Sequence, residues 1–101
     1  MSAELIVIWW RDIPAQVMAS RGRDRARAQL SDRFQEAIDT AATREGLIGT
    51  DDYMSEWHKD VRPCGEDLKT EAMAEADRLE LEFTDDLLDG LSKSGGVRGA
   101  S

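Results

Sequence analysis

Long apolar runs are absent from this 101-residue chain. The longest, Leu5 to Trp10, falls far short of the ~20 residues that a bilayer-spanning helix needs, so no membrane association is expected. Cysteine occurs once, at Cys64, and histidine once, at His58. One of each excludes a disulfide scaffold and a zinc site of the usual Cys/His spacing, and no cofactor is expected. Positive charge is also short: 13 Lys and Arg against 21 Asp and Glu leave a formal charge of −8. A general nucleic-acid binder needs net positive surface against the phosphate backbone, so nucleic acid is not an expected partner. Neither a Gly-x-x-x-x-Gly-Lys phosphate loop nor a Gly-x-Ser-x-Gly nucleophile elbow occurs. Ser2 to Glu4 offers no basic leader region, and the apolar run is followed by Arg11 and Asp12 instead of a small-residue cleavage site. With a lone thiol, which suits a reducing compartment, this predicts a cytoplasmic protein.

What remains is an ordinary globular composition. Hydrophobic residues make up 41% and charged residues 34%, enough for one modest core that removes roughly two-thirds of the unfolded surface from water. The charge is polarised along the chain. Arg21, Arg23, Arg25 and Arg27 cluster with a single acid, Asp24, whereas Glu66 to Asp89 holds ten acids against Lys69 and Arg78. Two solvated faces would account for this, and so would a basic face that steers a partner of opposite charge.

Leu5 to Trp10 is β-branched and aromatic on both parities, the pattern of a strand covered on both sides and central in its sheet. Pro14 breaks the pattern, because it cannot donate to a central ladder. Ala15 to Ala19 reads as a second strand in preference to a short helix. After a turn at Arg21–Asp24, Arg25, Arg27 and Gln29 alternate with Ala26, Ala28 and Leu30. That period of two puts the arginines on one face of a third strand, although Ala and Arg also favour helix. Ser31 suits an N-cap for a helix over Asp32 to Glu45, and Thr50 for a short one with Tyr53, Met54 and Trp57 on its apolar side. His58 to Gly65 reads as a loop or short edge strand. Leu68, Ala72, Ala76, Leu79 and Phe83 form one apolar stripe on an acidic helix, with a fresh start at Thr84. The sum is an α+β fold: a small antiparallel sheet of about three strands with two to four helices packed mainly on one face. A single domain over residues 1–91 and a disordered Gly- and Ser-rich tail over 92–101 are expected.

Two groups of residues are candidates for function. Cys64 precedes the acidic helix, whose N-terminal dipole would lower its pKa toward a reactive thiolate, with His58 and Arg62 near it in sequence; the bland alternative is a small apolar plug. Trp9 and Trp10, adjacent on a strand, face opposite ways, so one of them meets a second layer, solvent or a partner. The second layer would come from the short Tyr53–Trp57 helix. If that layer is missing, an exposed tryptophan beside Arg23, Arg25 and Arg27 is the best partner- or anion-binding surface.

The strings Leu5-Ile6-Val7-Ile8-Trp9-Trp10-Arg11-Asp12-Ile13-Pro14-Ala15-Gln16-Val17, Leu30 to Asp39 and Arg62-Pro63-Cys64-Gly65-Glu66-Asp67-Leu68 resemble the small bacterial virulence factor domain, a segment of which also occurs in the larger conserved virulence factor C proteins. The resemblance spans roughly Glu4 to Phe83. It brings no established catalytic residues. Stand-alone members tend to occur beside genes of folate- and corrinoid-linked methyl-group metabolism, which implies a one-carbon enzyme as a partner. The expectation is therefore a non-catalytic accessory module that docks on another protein; the alternative is a small thiol-dependent or anionic-ligand-binding enzyme centred on Cys64.

Overall fold

A run that is apolar on both parities must be covered on both sides. In the computed structural model, which describes residues 2–97, that run lies in strand β1 (Ala3–Trp10), inside a four-stranded antiparallel sheet. Strands β2 (Ile13–Arg21) and β3 (Asp24–Gln29) follow as a meander, and β4 (Trp57–Cys64) pairs with the other side of β1, giving the order β3-β2-β1-β4. The fold is α+β as expected, with one strand more. The segment His58 to Gly65 supplies most of that strand, and Trp57 opens it instead of closing a helix.

Two local devices shape the β1–β2 hairpin. Arg11 sits in the turn with φ 51°, a left-handed conformation that costs an L-residue about 1–2 kcal/mol. Its guanidinium offsets that cost by donating to Glu45 (3.0 Å), to the Gly95 carbonyl (2.8 Å) and to Glu56 (3.4 Å), while lying 5.1 Å from the centre of the Trp10 ring. Pro14 lies inside β2, contrary to the expectation of a break there with a strand only over Ala15 to Ala19. The pairing shifts between Ile8 and Trp9, whose partners are Gln16 and Pro14, so Ala15 is the extra residue of a bulge. A bulge is one of the few places where a proline fits within a sheet.

One face of the sheet is covered by helix α3 (Leu68–Glu82), which crosses β2 and β3. Leu5, Val7, Val17 and Ala19 are buried beneath it against Ala72, Ala76, Leu79 and Phe83. The small residues on both sides let helix and sheet approach closely. Truncating the fully buried Leu79 would cost about 2–5 kcal/mol. Asp67 caps α3 through the Thr70 N–H, and Thr84 caps α4 (Asp85–Lys93) through the Leu87 N–H, the restart foreseen at that position. Helix α1 (Asp32–Arg44) packs on α4 near the hairpin end. Ser31 precedes α1 but does not cap it; its hydroxyl and N–H both donate to the Glu80 carboxylate. Arg33 ties α1 to the α3–α4 corner by donating to the carbonyls of Glu80 and Phe83 and to the carboxylate of Asp85. The short helix α2 (Asp51–Ser55) is capped by Thr50 and sits beside the start of β4.

Residues 92–97 are structured, contrary to the expectation of a disordered tail from residue 92. Ser92 and Lys93 complete α4, and the Gly96 carbonyl accepts from the Asp12 N–H at 2.9 Å. A Cβ at Gly96 would lie 2.8 Å from the Trp10 ring. The chain therefore stays packed through this turn because glycine leaves room for the indole. Residues 98–101 lie outside the described residues.

Candidate docking face

Directly paired residues of antiparallel strands project to the same side, so the register alone assembles the face opposite α3. Three rows cross it. Arg25, Ser20, Glu4 and Pro63 form one, Arg27, Met18, Ile6 and Val61 the next, and Gln29, Gln16, Ile8 and Lys59 the third. Ile6, Ile8 and Met18 are half-buried by their neighbours and Val61 is 46% exposed. Leu5, Val7 and Val17, which project to the other side, are buried in one core with Ala72, Ala76 and Leu79 of α3. The result is an apolar strip on β2, β1 and β4, bordered by Arg25 and Arg27 on the β3 edge and by Lys59 on the β4 edge.

The period-two reading of Arg25 and Arg27 is therefore realised as an exposed pair on one face. Among the described residues, neither of them nor Lys59 enters an ion pair, whereas Arg11, Arg21, Arg33, Arg62, Arg78 and Lys93 all do. Arg23 departs from the row. It belongs to the turn with Gly22, before β3 begins at Asp24. Where the face meets α1, a cleft of about 610 Å³ opens, lined by Ile8, Gln16, Arg27, Gln29, Phe34 and Trp57 among others.

The tryptophans divide as their alternation requires, but neither of the adjacent pair is the exposed anchor of this face. Trp9 lies on the α3 side with its ring 6.0 Å from Phe83 and its indole N–H buried without a partner. Trp10 is fully buried. Its N–H donates to the Tyr53 carbonyl at 3.1 Å, and its ring lies 5.8 Å from that of Tyr53. The second layer from the short helix thus exists, supplied by Tyr53, and it removes Trp10 from any docking surface. Trp57, paired with Trp10 and edge-on to Tyr53 at 6.0 Å, is the indole that reaches the cleft. Its place depends on where β4 pairs, which no local pattern announces.

Cys64, His58 and Arg62 do not converge. All three lie on β4, and six residues of strand at about 3.3 Å each separate His58 from Cys64 by roughly 20 Å. Arg62 is engaged elsewhere, donating to Glu75 at 2.9 Å. The Cys64 thiol is shifted up from its ordinary value by burial and then by the charges of Glu71 and Glu4, with Arg62 opposing. That is the reverse of the thiolate activation expected from a helix start. Three residues separate Cys64 from the first residue of α3, and acids dominate its surroundings.

The remaining polar cluster is structural in character. Glu75, 5% exposed, accepts from Arg62 and doubly from Arg78, which also reaches Glu82. Its carboxyl is held below the ordinary range first by the Arg78 hydrogen bond, against the opposing effect of burial. Among the described residues no three or more His, Cys, Asp or Glu side chains group as metal ligands, and no helix is long and apolar enough to cross a membrane.

No curated protein and no solved structure matches the chain. The family model described as virulence factor matches residues 8–91, which takes in the Ile8–Trp10 end of β1, all of β2, β3, β4, α1, α2 and α3, and α4 as far as Leu91. The chain belongs to the virulence factor family.

Proposed function

We propose that this protein is a non-catalytic accessory module that docks on another cytoplasmic protein through the sheet face opposite α3. The observation that supports this reading most is the combination on that face of an apolar strip, Ile6, Ile8, Met18 and Val61, with three cations, Arg25, Arg27 and Lys59, that enter no ion pair among the described residues. Half-buried aliphatic area supplies affinity when it is covered. Unpaired arginines around it supply orientation and association rate toward an acidic surface. An enzyme of folate- or corrinoid-linked one-carbon metabolism is the candidate partner, on the genomic association of the resembled family. Nucleic acid fits poorly, since only three cations and one acid, Glu4, share this face of a −8 chain.

The test is capture from the native host with wild-type protein and with the Arg25→Glu/Arg27→Glu double variant, followed by mass spectrometry. A protein recovered by the wild type and lost with the variant is the expected result. Equal recovery by both removes this face from the interaction.

The cleft supports a second, narrower reading. Arg27 at its rim and Trp57 on its wall suit a small anion carrying a planar group. Titrating a folate-type dicarboxylate while following tryptophan emission checks it, with Trp57→Phe as the control.

A further inference from the structure

We infer that the docking face receives a single acidic amphipathic helix of a partner protein, which would lie along the strands and complete a helix–sheet–helix sandwich. The inference rests on the docking reading above and adds the shape and charge of the occupant. Three dimensions agree. Neighbouring strands are about 4.8 Å apart, so β3 and β4 are separated by roughly 14 Å, and the Arg25–Arg27 and Lys59 borders enclose a trough that a helix of about 10–12 Å diameter fills. The trough floor is apolar at its middle, where Met18 of β2 and Ile6 and Ile8 of β1 lie in adjacent rows, and polar at its flanks, where Ser20, Glu4 and Gln16 share the face. Along β3, Arg25 and Arg27 are two residues apart, about 6.6 Å. Two carboxylates at positions i and i+4 of a helix rise about 6 Å, so one acidic edge meets both arginines while a single acid on the opposite edge meets Lys59. The same sheet already accepts a helix on its other side, where α3 packs on β2 and β3.

Charge decides between occupants. A second copy seated face to face would set Arg25, Arg27 and Lys59 against themselves, with Glu4 the one acid in the three rows. An extended segment would have an edge to join, at β3 or β4, but would leave the apolar strip uncovered. An acidic helix with one apolar stripe covers the strip and pairs the cations at once.

An 18-residue synthetic peptide tests this, with leucines in one stripe and glutamates on both flanks, labelled and titrated by fluorescence anisotropy at low salt. Saturable binding is expected, with amide NMR shifts at Ile6, Ile8, Met18 and Val61, rising helicity of the peptide, and affinity about tenfold or more weaker for Arg25→Glu/Arg27→Glu. A peptide with lysine flanks should not bind. Absence of saturable binding, equal binding of the lysine-flanked peptide, shifts confined to α3 and α4, or dimerisation of the protein through this face each overturns the helix inference. If host-partner capture stays arginine-dependent while the helical peptide fails, the occupant has another shape and the docking reading survives. If capture is itself indifferent to the arginines, both fall.

Discussion

Replacing Glu75 with glutamine is expected to lower the unfolding free energy by about 2 kcal/mol. Glu75 is 5% exposed and takes hydrogen bonds of 2.9 Å from Arg62 and of 2.8 and 2.7 Å from Arg78. A charge-assisted bond contributes about 1.5–3 kcal/mol. Three such bonds do not add here, because the arginines are 59% and 50% exposed and return to water when the carboxylate goes. Glutamine also keeps one acceptor oxygen. The loss therefore stays near the value of one bond and below the ~3–5 kcal/mol of breaking a fully buried pair. For a domain of this size that corresponds to a drop in Tm of roughly 8–16 °C. The pH dependence has a definite sign. The folded carboxyl titrates below its ordinary 4.5, mainly through the Arg78 hydrogen bond, so its contribution is complete above that value and disappears as pH falls through the folded one. Urea unfolding followed by tryptophan emission should show the full gap between wild type and Glu75→Gln at pH 7 and a narrowing gap on acidification. Equal stability at pH 7, or a gap that widens as pH falls, refutes the reasoning.

Gly96→Ala should destabilise by about 3 kcal/mol, combining a left-handed φ of +84° with a Cβ 2.8 Å from the Trp10 ring; a loss under about 1 kcal/mol in urea titration would mean the C-terminal turn lifts away freely. Alkylation of Cys64 should reach its half-maximal rate above pH 9, given a thiol raised from 9.0 by burial and Glu71, and a midpoint well below that value would restore the reactive-thiolate reading. The Arg25→Glu/Arg27→Glu double variant should unfold within about 0.5–1 kcal/mol of wild type, since both side chains are exposed and neither enters an ion pair among the described residues. A much larger loss, measured by the same titration, would make these residues structural.

Much of the sheet was legible because its inner strands carry period and parity. Leu5 to Trp10 announced a central strand, and Arg25 to Leu30 alternated as a half-covered one does. The acidic helix and its restart at Thr84 followed from a single apolar stripe and a cap. Strand β4 was harder to read because six of its eight residues are exposed. An edge strand held mainly by backbone bonds to β1 has no hydrophobic period to detect, which left a loop and a short edge strand both open for His58 to Gly65. Pro14 misled for the converse reason: a bulge, invisible in composition, absorbs it. The fate of Trp10 depended on contacts far along the chain, with Tyr53 above it and Gly96 against its ring. A Gly-Gly pair near a terminus reads as slack, yet here one of the two glycines makes space for an indole. The docking face was half visible, its arginines from their spacing, its apolar strip only once the register aligned Met18 with Ile6 and Val61.

The order of the strands also bears on how the chain comes to be folded at all. β1, β2 and β3 join through tight turns, but β1 acquires its second neighbour only from residues 57–64, after α1 and α2. During synthesis, one flank of the most aggregation-prone stretch of the sequence, uncharged and rich in β-formers, stays open to pairing with any other nascent chain. Closing such a long loop adds little thermodynamic penalty, so the hazard is one of timing. Fragments ending before Trp57 should accumulate as aggregates, and yield in a host should track how quickly translation delivers the last strand.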